Sequence, residues 1–205
     1  MQIVVKADAM QKEEFLSKGV PGGISITWME NEEIIPVADV YFDLLFEDKG
    51  AGFESIISKP VFVNSVTATS DGLPANYIRL NAWNGFLKRP IIEIFAADSL
   101  ANADAGHILE ALGWKYQRVT DTPGMIAARV IAMIINEAYF GLDDGISSRA
   151  EIDTAMKLGT NYPYGPFEWS EKIGLPKIYA LLKKLSDRDS RYEPAPGLGR
   201  AVSHS

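Results

Sequence analysis

The chain has 205 residues, of which 47% are hydrophobic, with a formal net charge of −7 and no cysteine. This composition supplies enough apolar side chains for one large domain or two modest ones, and it excludes disulfides and thiolate chemistry. The negative charge argues against nucleic acid as a partner, because affinity for a phosphate backbone rests on clustered Lys and Arg.

The hydropathy pattern gives no indication of a membrane partner. No apolar run reaches the roughly 18 residues needed to cross a bilayer. The first residues lack the charged and apolar regions of a signal peptide. We therefore expect a cytoplasmic protein, which the absence of cysteine also fits.

The first half of the chain alternates between short apolar runs and helical segments. The apolar runs predict strands at residues 3–5, 24–28, 37–46, 59–65, 77–81, 91–95 and 114–119. Helices are predicted at residues 10–18 and 102–112, each followed by a glycine that would end it. Strands that alternate with helices indicate an α/β fold with a mainly parallel sheet.

From residue 123 onward the pattern changes to helices separated by short breaks. This change predicts a domain boundary, with a sheet domain over residues 1–119 and a helical domain over residues 120–205. The last segment, residues 190–205, is rich in Pro, Gly and Ser and is expected to be partly disordered.

Local signals mark the ends of the helices in the second half. Ser148 followed by Glu151 is the pattern of a capping box, in which each residue satisfies a backbone N–H of the other. Pro166 is typical of a first helical position and Gly174 of a helix end. These are structural signals and carry no chemistry.

The predicted helix at residues 125–142 is apolar almost all round. Such a helix needs cover on most of its faces. Fewer than a hundred residues of helical domain can hardly supply that cover, so the sequence predicts a homodimer in which a second copy contributes to it. A central core helix in a monomer is the alternative.

Four motifs in the second half occur in a fixed order. They are Asp-Thr-Pro-Gly at residues 121–124, Ile-Asp-Thr-Ala-Met-Lys-Leu-Gly at 152–159, Tyr-Pro-Tyr-Gly-Pro-Phe-Glu at 162–168 and Arg-Tyr-Glu-Pro-Ala-Pro-Gly-Leu at 191–198. This set resembles the C-terminal domain of the 3-hydroxyacyl-CoA dehydrogenases. The resemblance implies a trimmed Rossmann-like, mainly parallel sheet followed by an all-helical dimerisation domain, with NAD as cofactor and an acyl-CoA-type ligand.

The resemblance also implies positions for site residues in the first half. The family's catalytic His and the Glu that orients it fall on Asn81 and Glu93, and its substrate-side Ser falls on Ser65 or Thr67. Asn84 matches an Asn of the family. Asparagine has no titratable proton near neutral pH, so Asn81 cannot serve as a general base.

Two further positions concern the cofactor and the helical domain. A dinucleotide site needs glycines after the first strand, but residues 6–11 contain none, and Asp8 would place negative charge where a diphosphate should sit. Glu30, after the second strand, is the candidate for binding a ribose hydroxyl, as the acidic residue of the family does. On the substrate side, Arg129 matches the family, whereas Ala128 replaces its Asn.

These observations leave three interpretations. The first is a catalytically impaired relative that acts as a dimeric binding or scaffold protein, with no cofactor or metal assigned. The second is a divergent, active oxidoreductase of the fatty-acid β-oxidation type. The third is a new reaction that uses Glu93 as acid or base, with Trp83, Asn84, Lys88 and Arg89 at the mouth of the site.

Overall fold

The computed structural model describes residues 1–29 and 34–204. The chain divides into two compact units, Met1–Met125 and Ile126–Ser205. Among the helices of these described residues, none is long and apolar enough to cross a membrane.

The first unit is built on a mainly parallel sheet. Its strands within the described part of the chain are β1 (Gln2–Lys6), β2 (Ser25–Trp28), β3 (Val40–Asp43), β4 (Val61–Asn64), β5 (Tyr77–Leu80), β6 (Ile91–Phe95) and β7 (Lys115–Arg118). Their order in the sheet is β2-β1-β3-β4-β5-β6-β7, and β5 and β6 form the antiparallel pair in it. The helices are α1 (Ala9–Ser17), α2 (Phe46–Lys49) and α3 (Ser99–Ala111). The predicted α/β fold is confirmed.

Both faces of the central strands are buried, which explains their unbroken apolar sequences. In β1, Ile3 and Val5 belong to a core cluster on one face of the sheet, and Val4 belongs to a second cluster on the other. Phe42 and Phe62 stack on neighbouring strands with ring centroids 4.6 Å apart. Each fully buried side chain of this size contributes roughly 1.5–3 kcal/mol through removal of apolar surface from water.

The predicted strand at residues 37–46 is shorter in the structure. It covers Val40–Asp43 only, and α2 begins at Phe46. The reason is that the apolar residues after Asp43 are buried by a turn and a short helix rather than by sheet pairing. Sequence apolarity alone does not distinguish these two forms of burial.

The strand order creates one feature that matters for function. From β1 the chain moves to β2 on one side and then returns to β3 on the other side of β1. In open α/β sheets, ligands bind outside the carboxyl ends of the strands at such a reversal. The residues after β1, β3, β4 and β5 therefore define the edge to inspect.

The second unit is helical, as predicted. Its elements are α4 (Ala127–Asp143), α5 (Arg149–Thr160), α6 (Pro166–Ile173), α7 (Leu175–Ser186), a 3-10 turn (Ser190–Tyr192) and α8 (Pro196–Ser203). Within this unit α4 packs against α6, α7 and α8. The capping box of Ser148 and Glu151, the start at Pro166 and the end of α6 before Gly174 are confirmed.

The C-terminal segment differs from the expected partial disorder. Residues 190–203 form the 3-10 turn and α8, and Leu198 is buried. The buried Asn136 of α4 holds this segment, because its Nδ2 donates to the Glu193 carbonyl (2.9 Å) and its Oδ1 accepts from the Ala195 N–H (2.7 Å). A composition rich in Pro and Gly does not reveal these contacts.

The motifs at residues 152–168 form one interhelical cap. The buried Asp153 of α5 accepts the backbone N–H of Phe167 (2.8 Å) and of Glu168 (3.3 Å) in the first turn of α6. Gly165 lies so close that a Cβ there would collide with Asp153. Lys157 pairs with Glu168, whose other oxygen accepts the Gly165 N–H. Asp153, Lys157, Gly165 and Glu168, which belong to the motifs at residues 152–168, therefore join α5 to α6.

We predict that Asp153→Ala lowers the free energy of unfolding by about 1–3 kcal/mol, because two buried N–H groups lose their acceptor. Urea unfolding followed by circular dichroism measures this loss. Asp153→Asn, which keeps one acceptor oxygen, should lose less. A loss for Asp153→Ala below about 0.5 kcal/mol, the range of ordinary surface substitutions, would contradict the capping role.

Candidate functional site

The amino end of α1 is closed by the chain's own side chains. Asp8 is the N-cap residue, and its Oδ1 accepts the backbone N–H of Gln11 (2.7 Å). The Gln11 Oε1 accepts the Asp8 N–H in return (3.1 Å). Free N–H groups at a helix start are what binds a phosphate in α/β folds. Here the Asp8 carboxylate already accepts one of them, the Gln11 N–H.

Buried amide side chains join the carboxyl ends of three strands, β3, β4 and β5. The Gln11 Nε2 donates to the carbonyls of Leu44 (2.7 Å) and Ala82 (3.1 Å), which follow β3 and β5. Asn64, at the end of β4, donates to the same Leu44 carbonyl (3.2 Å) and accepts the Ala82 N–H (3.0 Å). The side chains of Gln11 and Asn64 therefore lie at the carboxyl edge of the sheet, where a ligand would be expected to bind.

A glycine loop covers the ends of β1 and β3. The Gly52 N–H donates to Asp43 Oδ2 (2.7 Å). A Cβ at Gly52 would lie 2.8 Å from Lys6 Nζ and 3.2 Å from Asp43 Oδ2. Lys6 and Asp43 face each other in the register of β1 and β3, and both are buried. The loop at Gly52 therefore packs directly on the side chains of Lys6 and Asp43.

A dinucleotide does not fit this edge. Its diphosphate would meet the Asp8 carboxylate at α1, and the space beside it holds the Gln11 amide and the loop at Gly52. The ribose candidate, Glu30, lies outside the described residues. NAD, which the resemblance implied, therefore receives no binding residues among those that the structure describes.

Three of the predicted site residues lie side by side on neighbouring strands. Ser65 follows β4, Asn81 follows β5 and Glu93 lies in β6, and the strand registers place them in adjacent rows. The Asn81 N–H donates to the Glu93 carbonyl (3.3 Å), and all three residues are buried. The family-equivalent positions are thus brought together.

Asn81 retains one unused hydrogen-bond donor. Its Oδ1 accepts the Trp83 N–H (3.3 Å), whereas its buried Nδ2 has no hydrogen-bond partner. An amide can donate to a carbonyl oxygen, but it cannot take a proton from a hydroxyl. Asn84, three residues further on, is half-buried.

Arg129 has an aromatic partner inside the helical unit. Its guanidinium lies 5.5 Å from the centroid of the Tyr192 ring, within the range of a cation–π contact. Arg191 stacks on the same ring at 4.7 Å. These contacts give Arg129 a structural role in holding the C-terminal segment.

A buried charge that was not predicted from the sequence lies at the same sheet edge. Arg79 of β5 is fully buried, donates from Nε to the Ser65 carbonyl (3.0 Å) and pairs with Asp121. Burial lowers the pKa of Arg79, while the carboxylates of Asp121 and Glu47 oppose that shift. A charge inside the apolar run Tyr-Ile-Arg-Leu was the available signal, because a buried charge must be paired.

Glu47 is the second residue that the sequence analysis missed. Its Oε1 accepts the N–H groups of Val66 (3.1 Å) and Thr67 (2.5 Å), and its Oε2 accepts the indole N–H of Trp83 (2.6 Å). A lone acid in a short helix gives no sequence signal of such contacts.

The segment at residues 82–89, which carries the predicted mouth residues, lies along α1. Glu14 accepts the Gly85 N–H (2.6 Å), and Lys18 donates to the Arg89 carbonyl (2.7 Å). Burial raises the pKa of Glu14, and nearby hydrogen bonds and Lys88 lower it in part. Across residues 1–29 and 34–204, His, Cys, Asp and Glu form no group of three or more that could hold a metal ion.

Comparison with known proteins gives a family match in the helical half. The family model for the C-terminal domain of 3-hydroxyacyl-CoA dehydrogenase matches residues 124–205. The 3-hydroxyadipyl-CoA dehydrogenase of Escherichia coli K12 is 43% identical over 96 residues, which are 46% of this chain and 20% of that protein. The 3-hydroxybutyryl-CoA dehydrogenase of Bradyrhizobium diazoefficiens is 29% identical over 156 residues, which are 73% of this chain and 53% of that protein.

Solved structures resemble the whole chain in fold. The Mycobacterium tuberculosis protein FadB2 superposes with a TM-score of 0.75 at 15% identity, covering 98% of this chain and 93% of that one. The (S)-3-hydroxybutyryl-CoA dehydrogenase PaaH1 of Ralstonia eutropha gives 0.74 at 16% identity, covering 99% and 93%. At such identities the likeness concerns the fold alone.

The sequence matches and the sheet order agree with the resemblance stated from the motifs. The chain spans about a fifth to a half of the length of the two curated relatives described above. Its first unit has the Rossmann-like sheet of the structural neighbours. Residues 124–205 are therefore similar to the C-terminal domain of the 3-hydroxyacyl-CoA dehydrogenases.

Proposed function

We propose that this chain is a 3-hydroxyacyl-CoA dehydrogenase-like protein without redox catalysis, acting as a dimeric binding or scaffold protein. The observation that carries the proposal is the Asp8 carboxylate bound to the first turn of α1. A diphosphate brought to this position would face a negative charge and would find the Gln11 N–H already used. Without dinucleotide binding there is no hydride acceptor.

The residues at the catalytic-pair positions support the same conclusion. With Asn81 in place of a histidine, the hydroxyl proton has no general base, and loss of a base forfeits roughly 10²- to 10⁴-fold in rate. The unpartnered Nδ2 of Asn81 is suited to hydrogen-bond a carbonyl oxygen. An acyl-CoA-type molecule is therefore the ligand class that we propose for a binding function.

A divergent, active oxidoreductase is the second candidate. The relatives with sequence matches bear dehydrogenase names, and Glu93 stays buried beside Asn81. In this candidate Glu93 would act as acid or base. A scaffold and an enzyme differ in their response to nucleotide and in the effect of replacing Glu93.

We expect NAD and NADH to leave the melting temperature unchanged, because a ligand that does not bind the folded state cannot stabilise it. An acyl-CoA that binds should raise the melting temperature, by about 5–10 °C at a concentration 100-fold above its Kd. Thermal-shift assays and calorimetric titration measure both responses. Micromolar NADH binding would overturn the proposal.

We expect that the protein does not catalyse the oxidation of NADH by a 3-ketoacyl-CoA. The rate of NADH oxidation should therefore equal that of a protein-free control. If turnover is found, Glu93→Gln decides between the candidates. A mutant that melts like the wild type but loses the turnover would establish the divergent enzyme and reject the scaffold.

The helical unit has an uncovered apolar surface that supports a homodimer. Ile126, the N-cap residue of α4, is followed at spacings of four residues by Val130 and Ile134 within the helix, and the first two are each 47% exposed. Beside them a cavity of about 310 Å³ is lined mainly by apolar residues, namely Ile134, Glu137, Ala138, Gly141, Ile146, Ile152, Met156 and Pro166.

The occupant that we propose for this surface is a second copy of the chain. Ile146, which lines the cavity, is 75% exposed. A stable interface buries about 800 Å² on each partner. A self-complementary patch of this kind suits twofold pairing.

A cytoplasmic location and the absence of a nucleic-acid partner stay predictions from composition.

We expect a dimer at tens of micromolar and a monomer for Val130→Glu, because the substitution buries an unpaired charge in the interface. Size-exclusion chromatography with light scattering gives both masses. Val20→Glu, which changes a partly exposed apolar residue of the sheet unit, is the matched control and should remain dimeric. A monomeric wild type would reject this interface and favour α4 as a core helix of a monomer.

A further inference from the structure

Three N–H groups converge on the carboxylate of Glu47. Two belong to consecutive backbone residues, Val66 and Thr67, and donate to Oε1 at 3.1 and 2.5 Å. The third is the indole N–H of Trp83, which donates to Oε2 at 2.6 Å. Both carboxylate oxygens are thus recognised, one by the loop after β4 and the other by the segment after β5.

Contacts that do not involve Glu47 hold these donors in place. The Val66 carbonyl accepts the Gly124 N–H (2.8 Å). Asp121 accepts the Ser70 N–H (3.0 Å) and the Ser70 hydroxyl (2.7 Å), which anchors the other end of the loop. Trp83 is almost completely buried. The donors therefore form a preorganised cradle, because removal of Glu47 leaves these other contacts intact.

The surroundings of the cradle favour an anion. The fully buried guanidinium of Arg79 donates to the Ser65 carbonyl, next to the two backbone donors. Its charge is balanced by Asp121 and Glu47. Without the Glu47 carboxylate, Asp121 would still pair with Arg79, but the N–H groups of Val66, Thr67 and Trp83 would lose their acceptor, and an unpaired buried donor costs about 1–3 kcal/mol.

We propose that Val66, Thr67 and Trp83 form a carboxylate-binding site that the chain keeps closed with its own Glu47. The ligand class is a small monocarboxylate, since the site offers two donors to one oxygen and one donor to the other. In the native protein the tethered Glu47 has a large advantage in effective concentration over a free carboxylate. This inference goes beyond the proposed function, because it concerns neither a nucleotide nor a redox step.

The test is chemical rescue of Glu47→Ala. The substitution leaves three donors without an acceptor, so we expect the melting temperature to fall by about 5–10 °C. Formate or acetate should enter the vacated site with a Kd on the order of 1–10 mM and restore about half of this loss at about 100 mM, because the stabilisation rises with the logarithm of the concentration above Kd. Sodium chloride at equal ionic strength should not. Wild type and Glu54→Ala, which removes an exposed carboxylate from the same part of the chain, should gain nothing from formate.

Failure of formate and acetate to restore Glu47→Ala beyond the chloride control would overturn the proposal and leave Glu47 as a structural tie only. If Glu47→Ala does not stay folded, refolding from urea with formate or with chloride becomes the measurement, and equal yields overturn the proposal in the same way. Glu47→Gln provides a second measurement, because its NH₂ group would oppose the Trp83 N–H. Glu47→Gln should have a lower melting temperature than the wild type. Formate should not raise that temperature, since the glutamine side chain still fills the site.

Discussion

Backbone N–H groups at the starts of helices and loops need acceptors, and this chain provides them from its own carboxylates. Asp8 binds the first turn of α1, Glu47 binds the loop after β4, and Asp153 binds the first turn of α6. Each contact joins or closes elements that would otherwise expose unsatisfied donors, and a buried donor left unpaired costs about 1–3 kcal/mol. The architecture depends on this constraint in both units.

In the first unit, the same need for acceptors affects the place where a dinucleotide fold binds phosphate. A dinucleotide fold uses glycines and free N–H groups where a phosphate must approach. Here the strand order is compatible with such a site, but the N–H groups of Asp8 and Gln11 are bound by each other's side chains, and the loop at Gly52 covers the adjacent strand ends. The sheet order of the structural neighbours is therefore present, whereas the Gln11 N–H at the start of α1 is already bound by Asp8.

Much of the fold was predictable because its signals are local. β-branched runs predicted the strands, and the motifs at residues 152–168 predicted the family although their use in capping α6 was not apparent. The catalytic-pair positions, Asn81 and Glu93, came from the resemblance and do lie on neighbouring strands. The contacts of Glu47 and Arg79 were not predictable, because their partners are at least 13 residues away in the chain.

By itself the sequence determined the α/β class, the helical C-terminal domain and the absence of glycine and histidine at two positions where chemistry would need them. These properties follow from side-chain type and short-range periodicity. Only the tertiary structure decided that Glu47 meets three donors, that Asn136 orders the C-terminal segment and that Gln11 spans the strand ends. Hydrogen bonds of this kind depend on where distant residues meet in the fold, and no local pattern carries that information.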